Sequence, residues 1–153
     1  MKRPASRLLV VSVFAGVLAS GGAGRASAPA GHYAIANGAV YDTKTKLTWQ
    51  QAASSSTYTQ PAAASYCATL GLNGATWRLP TMKELLTIVD LSVSPPGPTI
   101  DSTAFPGTPP DYFWSSTPYA GTVGSAWSVL FYYGLSYGND VTNTSYVRCV
   151  HGG

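Results

Sequence analysis

The sequence predicts an α+β domain: two helices followed by a loop-rich region of short antiparallel strands. Three observations carry that expectation. Thr81 with Glu84 three residues later is a capping box that opens one helix, and Pro61 before Ala62-Ala63-Ala64 opens another. From Ala126 to Tyr133 the chain has period two, with Trp127, Val129, Phe131 and Tyr133 alternating against Ala126, Ser128, Leu130 and Tyr132. Ser94-Pro95-Pro96-Gly97-Pro98 and Pro106-Gly107-Thr108-Pro109-Pro110 exclude interior helix and central strand, because proline lacks the backbone donor.

Taken in order, the chain starts with Lys2, Arg3 and Arg7, then an apolar run from Leu8 to Ala19, then Ala26-Ser27-Ala28. This is the layout of a signal peptide over residues 1–28, cleaved near Ala28. It implies export to the periplasm, the cell surface or the medium. The apolar run is too short to span a bilayer, so no membrane span is expected in the mature form; the alternative is a short anchor left uncleaved. Residues 29–39 are Gly/Ala-rich and read as a flexible lead. Val40–Asp42 and Leu47–Trp49 read as strands joined through the polar turn Thr43–Lys46. The first helix ends before Gly71, with Cys67 and Leu70 facing inward. The second turns Leu85, Leu86, Ile88 and Val89 toward the core. Tyr112–Ser115, Ala126–Tyr133 and Tyr146–Val150 read as strands, with a turn at Gly134. The folded domain is expected over residues 40–150.

Composition narrows the function. The 153 residues fit one domain, and 45% hydrophobic with only 10% charged residues excludes a charge-driven disordered chain. The formal charge of +3 misleads, because four of the nine basic residues lie in the leader. The mature chain keeps Lys44, Lys46, Arg78, Lys83 and Arg148 against six acids, a net charge of −1. With no basic stripe to displace phosphate counterions, no nucleic-acid partner is expected.

Cys67 and Cys149 are the two cysteines, and in an exported chain one disulfide is the default. A reactive or metal-binding role would need histidine or a second cysteine at short spacing, which neither has. Tyr41-Asp42, Leu47-Thr48-Trp49, Tyr66-Cys67, Trp77-Arg78-Leu79-Pro80-Thr81-Met82-Lys83-Glu84-Leu85, Phe113-Trp114-Ser115-Ser116 and Val147-Arg148-Cys149-Val150 together resemble the Lcl C-terminal domain family in order and spacing. That family, long catalogued as a domain of unknown function, occurs in secreted and surface bacterial proteins, among them a collagen-like adhesin. The resemblance implies a C-type-lectin-like fold, in which a disulfide joins the first helix to the last strand. The adhesin's domain is associated with sulfated glycosaminoglycans. A neutral chain is a poor trap for such a polyanion, so that ligand is not carried over.

Catalysis is not expected. His32 and His151 fall in segments read as frayed ends, and Asp90, Asp101, Asp111 and Asp140 read as turn formers rather than paired catalytic carboxylates. A divergent enzyme of the lectin-like sulfatase-activating oxidase type would need cysteines beyond the structural pair; a passive structural domain is the third reading. No cofactor and no metal site is expected: Gly138-Asn139-Asp140 reads as a turn, with Gly138 where sugar-binding lectins of this class place Trp. Arg78 and Arg148 read as buried structural cations bonded to Asp90, Asp101 or backbone carbonyls.

The remaining signal is the tyrosine content between Tyr112 and Tyr146, set among Gly, Ser, Thr and Asn. Tyrosine offers a large contact area at low entropic cost, as in antibody paratopes. Tyr133 and Tyr137 are the expected anchors, with Tyr132 and Tyr119 beside them. The expected function is an exported binding or adhesion module for a glycan or a cell-surface protein.

Overall fold

The computed structural model describes residues 28–153. Apart from Ala28, the leader lies outside the described residues. The domain is α+β, with two helices, one disulfide and two antiparallel sheets rather than one. The strands are β1 (Tyr33–Ala36), β2 (Ala39–Asp42), β3 (Thr48–Gln50), β4 (Tyr112–Pro118), β5 (Ser125–Leu130), β6 (Leu135–Asp140) and β7 (Val150–His151). One sheet runs β1-β2-β3-β7 and the other β4-β5-β6. The helices are α1 (Gln60–Thr69) and α2 (Met82–Leu86). Among the described residues no helix is long and apolar enough to cross a membrane.

The first sheet begins inside the segment read as a flexible lead. β1 pairs with β2 through a two-residue loop, Asn37-Gly38, whose φ angles of 50° and 76° fit the tight turn that matches strand twist. The next turn is built on Asp42, buried to 1% exposure. Its carboxylate accepts Lys44 N at 2.8 Å, Thr45 Oγ1 at 2.8 Å and Thr45 N at 3.3 Å. Burial pushes the Asp42 carboxyl up, but these bonds and nearby His32 outweigh it and hold it below the ordinary range.

α1 carries Pro61 in its first turn, where no intrahelical donor is lost, and buries Ala63 and Cys67. α2 starts on the expected capping box. Thr81 Oγ1 accepts Glu84 N at 3.2 Å, and Glu84 Oε2 accepts Thr81 N at 2.8 Å. Arg78 clamps the same carboxylate with two bonds of 2.8 and 2.7 Å and also donates to Gly152 O. Arg78 is therefore not a buried cation: its side chain is 43% exposed and its partner is Glu84, neither Asp90 nor Asp101. Thr81→Ala is expected to cost about 1 kcal/mol by uncapping α2. Thermal melts of the two proteins measure it, and equal midpoints would sink the prediction.

The β4-β5-β6 sheet lies between two apolar clusters, because both faces of β4 and β5 are covered. Phe113 and Val129 point into a cluster with Trp49, Leu85, Ile100, Phe105 and Phe131. Trp114 and Ala126 point the other way, into a cluster with Ala63, Cys67, Trp77, Leu79 and Val147. The Cys67–Cys149 bridge sits in this second cluster with a Cα–Cα separation of 5.4 Å, tying α1 to the residue before β7.

Three local expectations change. β5 stops at Leu130, since Phe131 N bonds Asp111 O and Phe131 O accepts Thr99, so the backbone leaves the ladder. Gly134 closes the turn as expected, at φ 71°, packed so that a Cβ would lie 2.6 Å from Val89. Gly138-Asn139-Asp140 is not a turn but part of β6, paired with Trp127, Ala126 and Ser125. The Tyr119 ring covers Gly138, 2.4 Å from where its Cβ would stand, which fills the space a strand glycine leaves. Of the Tyr146–Val150 segment only Val150 enters a strand; the rest bridges the sheets, through Trp114 N to Tyr146 O and Gln50 N to Cys149 O.

Arg148 is fully buried, as expected, and held by neutral acceptors. Its guanidinium donates to Gln50 O at 2.9 Å, to Gln51 O and to Thr108 Oγ1 at 2.7 Å, and lies 4.7 Å from the Phe105 ring centroid. No carboxylate pairs with it among the described residues, and burial pulls its pKa down to about 9.

Candidate functional site

Strand register places the candidate surface. Tyr112 opposes Leu130, which opposes Leu135, so the three share one face of the second sheet. Tyr137 is two residues beyond Leu135 and joins them. Its ring meets Tyr112 edge-on at 5.7 Å, leaning past Ser128. The small Ser128 side chain is tied down by Asn139 Nδ2 at 2.7 Å. Further along, α1 and the second apolar cluster cover this face; at the hairpin end no described element does, leaving Leu135 52% and Tyr137 37% exposed. An aromatic pair beside an exposed leucine is a surface for stacking and apolar contact.

The four tyrosines singled out from the sequence do not form one group. Tyr137 lies in the patch. Tyr133, 49% exposed, stands in the hairpin turn with Tyr132 edge-on at 4.5 Å. Tyr119 is on the opposite face, packed on Gly138 and edge-on to Trp127 at 4.7 Å. Sequence reasoning missed Tyr112 and Leu135 as patch members. Their signal was non-local, since it required β6 to be recognised as a strand in register with β5.

The electrostatics are one-sided. Between Lys83 and Arg148 the chain has no basic residue, while Asp111 and Asp140 flank the patch strands. A sulfated or phosphorylated ligand would find no cation on these strands.

His32 and Tyr33 mark a second region. His32 is not frayed: its Nε2 lies 3.0 Å from Asp42 Oδ1 and its ring stacks on Tyr33 at 4.3 Å. A cleft of about 350 Å³ beside them is lined by Tyr33, Ile88, Asp90, Leu91 and Asp101, among others. Burial, then the carboxylates of Asp42, Asp101 and Asp90, push the Tyr33 phenol above its ordinary range. Among the described residues no serine or cysteine is hydrogen-bonded to His32, whose partner is Asp42. His151 is also anchored, through Thr76 O at 3.0 Å. Among the described residues no group of three or more His, Cys, Asp or Glu could hold a metal ion.

The sequence model of the Lcl C-terminal domain matches residues 38–151, three-quarters of the chain, so the chain belongs to that family. No curated protein and no solved structure matches it.

Proposed function

We propose that this member of the Lcl C-terminal domain family is an exported, non-catalytic binding module that recognises an uncharged carbohydrate or a cell-surface protein through Tyr112, Leu135 and Tyr137. The single observation that carries this reading is the edge-on pair of half-buried Tyr112 with exposed Tyr137, on a stretch of chain without a cation. Stacking on a tyrosine face and neutral hydrogen bonds suit sugar rings and apolar protein anchors. The leader layout supports export. The disulfide between α1 and the end of the chain supports a C-type-lectin-like reading of the α+β architecture. Both cysteines stand in that bridge, which leaves none for oxidase chemistry.

A glycan and surface-protein screen on the exported chain identifies the ligand, and titrations then test the site. Tyr137→Ala is expected to weaken binding about tenfold, the loss of one interface anchor. Wild-type affinity should change little between low and moderate salt, because no ion pair forms. Strong salt dependence with Tyr137→Ala and Tyr133→Ala both silent would move the site to Lys44, Lys46 and Lys83.

A further inference from the structure

β6 is the outer strand of its sheet; no described strand pairs with its outer edge, where Asp140 O accepts Asn143 N at 3.0 Å. Val141 N bonds back to Gly124 O at 2.9 Å, which sets the alternation of the β5–β6 pairs. By that alternation Leu135, Tyr137 and Asn139 turn their backbone toward β5. Ser136, Gly138 and Asp140 turn theirs outward. Sheet edges are ordinarily blunted by proline, lysine or a bulge. The β4 edge follows that rule: a register irregularity lies between Trp114 and Pro118, and Tyr146 bridges to Phe113 alongside it. β6 reads Leu-Ser-Tyr-Gly-Asn-Asp and has none of these devices.

We propose that β6 pairs antiparallel with β6 of a second copy of this chain, on a two-fold axis through Gly138, joining two three-stranded sheets into one of six strands. The edge is self-complementary. Gly138 meets its own counterpart, where the absence of a Cβ lets two backbones approach. Ser136 faces Asp140 of the other copy, so no two carboxylates oppose each other. Asp140 is already turned to its own Thr142, with bonds of 2.8 Å to the amide and 2.7 Å to the hydroxyl. On the patch face the two Tyr137 residues become diagonal neighbours about 7–8 Å apart, within ring contact. Both aromatic patches then face the same way, giving one target surface two points of attachment.

A second copy is the occupant favoured here because the same six residues supply both the edge and its match, and a mature net charge of −1 opposes association only weakly. Three outward backbone pairs alone bury less than the ~1,200 Å² of a standard interface, so the dimer forms in a concentration-dependent way. This inference does not depend on the ligand reading: dimerisation can hold while glycan binding fails, and the reverse.

Sedimentation velocity of the purified chain over a concentration series, with amide hydrogen exchange at both ends of the series, tests it. The expected result is a monomer–dimer equilibrium in which the Ser136 and Gly138 amides become protected as concentration rises. Ser136→Asp, which sets a second carboxylate directly opposite Asp140 of the other copy, and Ser136→Pro, which removes an outward amide, should both abolish the dimer while leaving the thermal midpoint of the dilute monomer unchanged; if the proline variant fails to fold, the aspartate variant decides. A chain that stays monomeric throughout would overturn the proposal. So would a dimer whose Ser136 and Gly138 amides exchange at the monomer rate, or one that Ser136→Asp leaves intact.

Discussion

Replacing Cys67 and Cys149 together by serine is expected to lower unfolding stability by up to about 4.5 kcal/mol, the chain-entropy value for a loop of this size. The bridge spans a sequence separation of 82 residues, so the reduced chain regains most of its freedom when unfolded. Residual denatured-state structure makes the entropic value an upper figure, and native bridges in small exported domains are worth about 2–5 kcal/mol. Both serine hydroxyls would also enter a site of zero exposure beside Trp77, Trp114 and Val147, which adds to the loss. Urea denaturation of the two proteins gives the difference. A change below about 1 kcal/mol would mean the two apolar clusters and the bridging segment 145–149 hold the chain ends without covalent help.

Arg148→Leu is expected to cost about 3 kcal/mol, roughly 10 °C in midpoint for a domain of this size. The substitution strips donors from Gln50 O and Gln51 O and from Thr108 Oγ1, and each buried carbonyl left unsatisfied costs about 1–3 kcal/mol. It also removes the guanidinium from the Phe105 ring, a contact of about 2 kcal/mol when desolvated. Against this stands relief from burying a cation without a counter-charge, the cause of the depressed Arg148 pKa. The contacts outnumber the penalty, so the sign should be destabilising. A more stable Arg148→Leu protein would reverse that balance and show that the cation is kept for some reason other than stability.

What could be read from residues in order was local chemistry. The Thr81–Glu84 capping box forms because both reciprocal bonds lie within four residues. Pro61 sets the start of α1 for the same kind of reason, and with only two cysteines the bridge had one pairing. β1 was missed: Asn37-Gly38 is a strong hairpin signal, but its Gly/Ala-rich surround reads as a lead. β6 was not legible. Gly138, Asn139 and Asp140 favour turns on their own, and only six consecutive pairs with β5, with Tyr119 over the glycine, make them strand.

The candidate site divides the same way. Its composition, tyrosines without cations, is a property of the sequence alone, and so is the expectation of a salt-insensitive contact. Which tyrosines act together is not. Tyr112 and Tyr137 are 25 residues apart, and meet because the β4-β5-β6 register puts both on one face. Tyr119, nearer to either in sequence terms than they are to each other, lies on the other face over Gly138. Arg78 and Arg148 each sit beside apolar residues in the chain, yet one is an exposed clamp on Glu84 and the other a buried donor to two carbonyls. Period and spacing report which way a side chain points from its own strand. What stands opposite it is decided by packing between distant segments, and that depends on the whole fold.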